Sequence, residues 1–169
     1  MQELNSGASS WDPKNVDVVV APTFVHLQKV KSSLSPQYGV SAQDVWLKGP
    51  GAFTGEVPAE ILADMGINWT LTGHSERRGY CGETNEIVGQ KTARALESGL
   101  NVIACIGETL EQRNSGQLFA VLEAQVQALI DNVKDWSRMV VAYEPVWAIG
   151  TGVVATPEQA QEAHAFVRK

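Results

Sequence analysis

Two short segments carry residues able to move protons or polarise a carbonyl. In the first, Gly73-His74-Ser75-Glu76-Arg77-Arg78, a histidine directly follows a run of β-forming residues. Ser75 suits the N-cap of a helix beginning SERR, which sets His74 against a helix N-terminus. The positive end of the helix dipole disfavours an imidazolium, so a neutral His74 is available to donate a hydrogen bond to a carbonyl. Local sequence equally fits a histidine that only fills a loop beneath a capped helix. In the second segment, Ala142-Tyr143-Glu144-Pro145, the proline keeps the residue before it extended, so the Glu144 carboxylate leaves its strand end over the sheet.

Three further segments need a reading. Pro145 to Gly152 (Pro145, Val146, Trp147, Ala148, Ile149, Gly150, Thr151, Gly152) is an apolar loop bounded by proline and glycines. It is either a lid that closes over a site or a loop packed permanently on a neighbour. Gly150 to Ala155 also satisfies GxGxxA, but the next helix starts only at Thr156-Pro157, and no acidic residue follows about 20 positions on. Gly49 to Glu56 is punctuated by glycines around Phe53. It lacks a phosphate-loop lysine, so docking on a partner is expected rather than phosphate binding, with a plain surface turn as the alternative. Cys105, in Ala104-Cys105-Ile106-Gly107-Glu108, is a nucleophile or a buried structural thiol, and no histidine is tied to it by spacing. His26, His74 and His164 lack metal-ligand spacing, so neither metal nor cofactor is expected.

The elements that position these loops alternate. Strands are expected at 16–22, 38–43, 69–73, 100–105 and 139–143, apolar on both faces as in a buried parallel sheet. Leu118, Val121, Leu122, Gln125, Val126, Leu129 and Val133 repeat with helical spacing. Another helix runs from Thr84 or Asn85 to a stop at Gly99, and a last one opens with Thr156 as N-cap, Pro157 at N1 and Gln159 at N3. Five βα units without a linker read as one domain over residues 1–169. It is parallel α/β, either a doubly wound open sheet or part of a barrel.

The composition agrees and narrows the function classes. The chain has 169 residues, 13 basic and 19 acidic, for a net charge of −6. Without a basic run this argues against nucleic acid. No apolar stretch reaches the roughly 18 residues of a membrane span, and the first residues lack the pattern of a secretory signal. Two cysteines are too few for a disulfide framework, so a reducing, cytoplasmic setting is expected.

Taken together, TLTGHSERRGYCGE, ACIGETLEQR, GAFTGE and AYEPVWAIGTG followed by TPEQAQE resemble triosephosphate isomerase, in family order and over essentially the whole chain. The resemblance implies a (β/α)8 TIM-barrel fold, here an incomplete barrel of about five βα units lacking the family's first strand and last two strands. It implies a glycolytic and gluconeogenic isomerase that interconverts dihydroxyacetone phosphate and glyceraldehyde 3-phosphate through an enediolate. Glu144 would be the base and His74 the neutral electrophile, as in the handling of two groups by environment known for this enzyme. Ser75, Glu76 and Glu108 would support them, Glu108 as partner of Trp147. Pro145 to Gly152 would form the lid, with Gly150 offering its N–H to the substrate phosphate. Gln43, Phe53, Thr54 and Arg77 would lie at a homodimer interface. Asp44 departs from the family's usual asparagine. The alternative is a truncated, non-catalytic remnant or interaction module of the same fold. Without the lysine and phosphate grip of the absent strands, the isolated chain is expected to turn over essentially no substrate.

Overall fold

Five strands lie in one sheet in the order in which the chain makes them: β1 (Val18–Val20), β2 (Tyr38–Ala42), β3 (Trp69–Thr72), β4 (Asn101–Ile106) and β5 (Met139–Tyr143). The structure, a computed structural model, describes all residues 1–169. Every neighbouring pair is parallel. A doubly wound sheet reverses its strand order at a switch point, and this one does not. The sheet is a curled half-barrel, an incomplete α/β barrel.

β1 is shorter than its run of valines suggests. It pairs with β2 only through Val18, Val19 and Val20, Val16 is exposed, and Pro22 has no N–H to offer a ladder. β4 starts and ends one residue later than expected, paired on one side with β3 and on the other with β5. That register decides the geometry of the site. Thr72 stands beside Ala104, and Ile106 beside Tyr143, so Gly73, Gly107 and Glu144 leave three adjacent strands at the same end.

Eight helices accompany the strands: α1 (Gln2–Gly7), α2 (Leu27–Ser33), α3 (Ala59–Asp64), α4 (Ser75–Tyr80), α5 (Asn85–Glu97), α6 (Leu110–Asn114), α7 (Leu118–Asn132) and α8 (Pro157–Val167). Local capping explains where several begin. Thr84 accepts from the Ile87 N–H ahead of α5, and Thr109–Gln112 and Thr156–Gln159 form reciprocal capping boxes ahead of α6 and α8. Leu118, Leu122 and Leu129 of α7 are buried in the core beside Val88 and Ala95 of α5 and the β4 residues Val102, Ala104 and Ile106. Phe166 of α8 lies against Phe119 of α7, ring centres 4.7 Å apart.

One charged cluster is interior. Lys91, 2% exposed, donates to Asp44 at 2.8 and 2.9 Å and to Glu83 at 2.6 Å. Arg77 Nε adds contacts to Glu83 at 2.6 Å and to Asp44 at 3.0 Å. Burial pushes the Asp44 carboxyl above its ordinary range. For Glu83 burial acts the same way, but the hydrogen bonds from Lys91 and Arg77 outweigh it and hold that carboxyl low. The cluster ties the end of β2 to α4 and α5.

Candidate active site

The chain turns sharply after β3 because Gly73 has φ +69°, a conformation open to glycine. A Cβ there would also stand 2.9 Å from the Cys105 carbonyl oxygen. The turn leaves His74 extended, at φ −53° and ψ 142°, and α4 begins at Ser75. This corrects the expected cap: Ser75 is the first helical residue, and His74 holds the N-cap position with its own ring. Its Nδ1 accepts from the Glu76 N–H at 3.3 Å, so that nitrogen is the unprotonated one and Nε2 bears the hydrogen. Nε2 lies 2.9 Å from Glu144 Oε1. The Ser75 N–H donates to the other carboxylate oxygen, Oε2, at 3.1 Å. One carboxylate from the end of β5 is thus held between an imidazole N–H and a backbone N–H from the end of β3. The Glu76 side chain is largely exposed, and its carboxylate comes no nearer to Nδ1 than 3.7 Å.

β4, between these strands, ends in Gly107. A Cβ on this residue would stand 1.8 Å from the Glu144 carbonyl oxygen, so only glycine lets the two chains pass. The Glu144 N–H completes the junction by donating to Ile106 O at 2.7 Å. Gln125, the one polar member of the buried stripe of α7, grips Gly107 on both sides. Its Oε1 accepts from the Gly107 N–H at 2.8 Å, and its Nε2 donates to the Gly107 carbonyl at 3.0 Å. Sequence reasoning did not assign Gln125 a role, although a glutamine among leucines and valines was the available signal. Cys105 is buried, and burial together with the Glu144 carboxylate pushes its thiol up to about 12. That excludes a resting thiolate nucleophile here.

After Glu144 the chain makes a 3-10 turn over Val146–Ala148. Trp147 is buried, and its Nε1 donates to Glu108 Oε1 at 2.8 Å. Glu108 has no exposed surface. It also accepts from the Tyr143 hydroxyl at 3.0 Å to each oxygen and from Arg113 Nη1 at 3.0 Å. The Arg113 guanidinium lies over the Trp147 ring, 4.8 Å from its centre. Arg113 carried no sequence signal, because its partners lie 5 and 34 positions away. Beyond the tryptophan the loop is loosely held: Ile149, Gly150, Thr151 and Gly152 are exposed, and the Thr151 hydroxyl donates back to Trp147 O at 2.8 Å.

A cleft of about 360 Å³ beside Glu144 is lined by Ser75, Arg78, Gly107, Gln125 and Val146 among others. A second, of about 370 Å³, joins His74 to Gln43, Asp44 and Arg77. Gln43 and Arg77 therefore share a cleft with His74, while Phe53 and Thr54 lie elsewhere. Phe53 is half-buried against Trp46 of its own chain, ring centres 5.5 Å apart, and Thr54 is exposed. No group of three His, Cys, Asp or Glu side chains is placed to hold a metal ion, and no helix is long and apolar enough to cross a membrane.

The chain matches the family model described as triosephosphate isomerase over residues 1–169. It is 59% identical over 154 residues to "Triosephosphate isomerase, cytosolic" of Oryza sativa subsp. japonica, covering 91% of this chain and 61% of that protein. It is 54% identical over 168 residues to "Triosephosphate isomerase, chloroplastic" of Secale cereale, covering 99% of this chain and 55% of that protein. The protein of the same name from Arabidopsis thaliana is 53% identical over 168 residues, covering 99% and 52%. The chain thus spans between about half and three-fifths of the length of these curated relatives.

Proposed function

Because the chain belongs to the triosephosphate isomerase family, we propose that His74 and Glu144 carry the proton transfer that interconverts dihydroxyacetone phosphate and glyceraldehyde 3-phosphate. The observation that supports it most is the clamping of the Glu144 carboxylate between His74 Nε2–H and the Ser75 N–H at a cleft edge. In the resting structure those two donors hold the base. When a triose phosphate enters, Glu144 turns to the carbon beside the carbonyl and removes a proton. His74 Nε2–H is then free to donate to the carbonyl oxygen, where negative charge develops as the enediolate forms. The hydroxyl proton of the first carbon passes to the former carbonyl oxygen by way of His74 Nε2, and Glu144 returns its proton to the neighbouring carbon, which leaves the aldehyde and the secondary alcohol. A neutral imidazole suits this step because its remaining nitrogen is already occupied by the Glu76 N–H. The segment from Pro145 to Gly152 acts as the lid, hinged beside the buried Trp147–Glu108 pair. Gly150, exposed in that segment, offers its N–H to the phosphate.

Gln43 and Arg77, beside His74, and the loop bearing Phe53 and Thr54 are the surfaces we assign to a homodimer. A cytoplasmic setting belongs to the same proposal, and the names of the relatives include both cytosolic and chloroplastic forms.

The test is deuterium incorporation. Dihydroxyacetone phosphate incubated with the chain in D2O is expected to gain deuterium at the carbon beside the carbonyl faster than with Glu144→Gln or His74→Gln. Exchange no faster than with Glu144→Gln refutes the assignment.

A further inference from the structure

The peptide groups flanking His74 are held by α4: the His74 carbonyl accepts from the Arg77 N–H at 2.9 Å as well as from Arg78, and the Gly73 carbonyl is reached by the Arg78 side chain. The His74 carbonyl accepts from the Arg78 backbone N–H at 3.1 Å, and the Gly73 carbonyl, one peptide earlier, accepts from Arg78 Nε at 2.8 Å. On its other side the guanidinium is anchored, with Nη1 donating to Asn85 Oδ1 at 2.7 Å. Asn85 is the first residue of α5, whose start is independently capped by Thr84. Arg78 Nη2 is buried without a partner, 3.1 Å from the place where Gly73 lacks a Cβ. Burial draws the guanidinium below its ordinary value, with the neighbouring Cys105 and Glu144 acting the other way. A purely space-filling residue at this position would avoid the desolvation of a charge and of one unsatisfied nitrogen. What an arginine adds is a planar fork that reaches two acceptors at a fixed angle.

We infer that Arg78 is a positioning residue: by holding the Gly73–His74 peptide against the start of α5, it fixes the direction in which His74 Nε2–H and the Ser75 N–H meet the Glu144 carboxylate. This rests on the assignment of His74 and Glu144 to the proton transfer. Arg78 lines the cleft beside Glu144 without a hydrogen bond to it, and its side-chain hydrogen bonds reach His74 through the Gly73 peptide. Loss of the fork frees the peptide to rotate, and the imidazole loses the pair of contacts that selects one tautomer.

The test uses 15N-histidine NMR of the full 169-residue chain. Wild-type His74 is expected to show one tautomer, with Nδ1 bare and Nε2 protonated. Folded Arg78→Met is expected to show a mixed-tautomer signal, while His26 and His164 stay in place as internal controls. Arg78→Lys, whose single ammonium still reaches Gly73 O, is expected to return the His74 signal at least halfway. Deuterium exchange falls by about tenfold or more in Arg78→Met and recovers in Arg78→Lys. Unmoved His74 signals in folded Arg78→Met overturn the inference, as does an Arg78→Lys no better than Arg78→Met. Should Arg78→Met fail to fold, Asn85→Ala removes the anchor at Nη1. A smaller shift in the same direction is then expected, and none overturns the inference. If Glu144→Gln exchanges deuterium as fast as wild type, the proton-transfer assignment fails while the tautomer signal still reads Arg78 on its own.

Discussion

Gly107→Ala is expected to separate Glu144 from its two donors while leaving the sheet folded. The added Cβ would stand 1.8 Å from the Glu144 carbonyl oxygen and 2.8 Å from the carbonyl carbon. A close carbon–oxygen contact is about 3.3 Å, so the carbonyl must retreat by about 1.5 Å. Gly107 cannot yield instead, because Gln125 holds both its N–H and its carbonyl and Gln125 is itself buried. The Glu144–Pro145 segment therefore moves and carries the carboxylate with it. Overpacking of this kind costs about 1–3 kcal/mol, which in a chain of this size lowers Tm by roughly 2–12 °C. A base displaced by about 1 Å is expected to lose on the order of a hundredfold in rate. Thermal melting by circular dichroism, deuterium exchange and the Ser75 amide signal measure the three effects. Tm within about 1 °C of wild type, with exchange within about threefold, would show that the close passage of β4 and Glu144 does not set the position of the base.

Two further outcomes follow from the buried groups. Lys91→Met leaves Asp44 and Glu83 with Arg77 as their only cation. It is expected to cost about 3–5 kcal/mol, more than Asp44→Asn, which keeps an acceptor for Lys91. Urea midpoints order the two variants, and the reverse order rejects the reading. The Cys105 thiol ionises near 9.0 when unperturbed and at about 12 in the fold. Between those values the unfolded chain has lost a proton that the folded chain keeps, so stability is full below pH 9 and falls as pH rises, by at most ~1.4 kcal/mol per pH unit from this group. Cys105→Ala should flatten that slope in urea unfolding at pH 7 and 10, and an unchanged slope would exclude Cys105 as its source.

Much of the fold could be read along the chain because its signals are local. Thr156-Pro157 with Gln159 announces a helix start within four residues, and the runs at 69–73, 100–105 and 139–143 announce parallel strands to within a residue. The cap at His74 was not legible. It depends on the positive φ of Gly73, and a serine followed by Glu-Arg-Arg mimics a cap without the turn that would make it one. Phe53, read as a contact for a partner, is partly used by Trp46 of its own chain, seven positions earlier. Arg113 over Trp147 and Arg78 under Gly73 are long-range or geometric partnerships. Their residue types are common on helix surfaces, so only coordinates distinguish them.

The proposed acid–base pair is positioned by the ends of neighbouring strands. His74 and Glu144 leave β3 and β5, and β4 lies between them, paired with β3 from Asn101 to Ala104 and with β5 from Val102 to Ile106. Gly107 sets how closely β4 and Glu144 pass, and Gly73, at φ +69°, sets how the chain turns after β3. β2 contributes indirectly to the 2.9 Å separation of His74 Nε2 and Glu144 Oε1, because Asp44, just past its end, holds Arg77 of α4, the helix that His74 caps. In the proposed reaction, abstracting a proton and retaining a phosphorylated intermediate until it is reprotonated therefore make separate structural demands. The first draws on β3, β4, β5 and the helices that lock their ends. The second requires a grip on the phosphate, for which Gly150 of the proposed lid is the candidate. Deuterium exchange depends on the first demand and net isomerisation on both, so the two measurements read the demands separately.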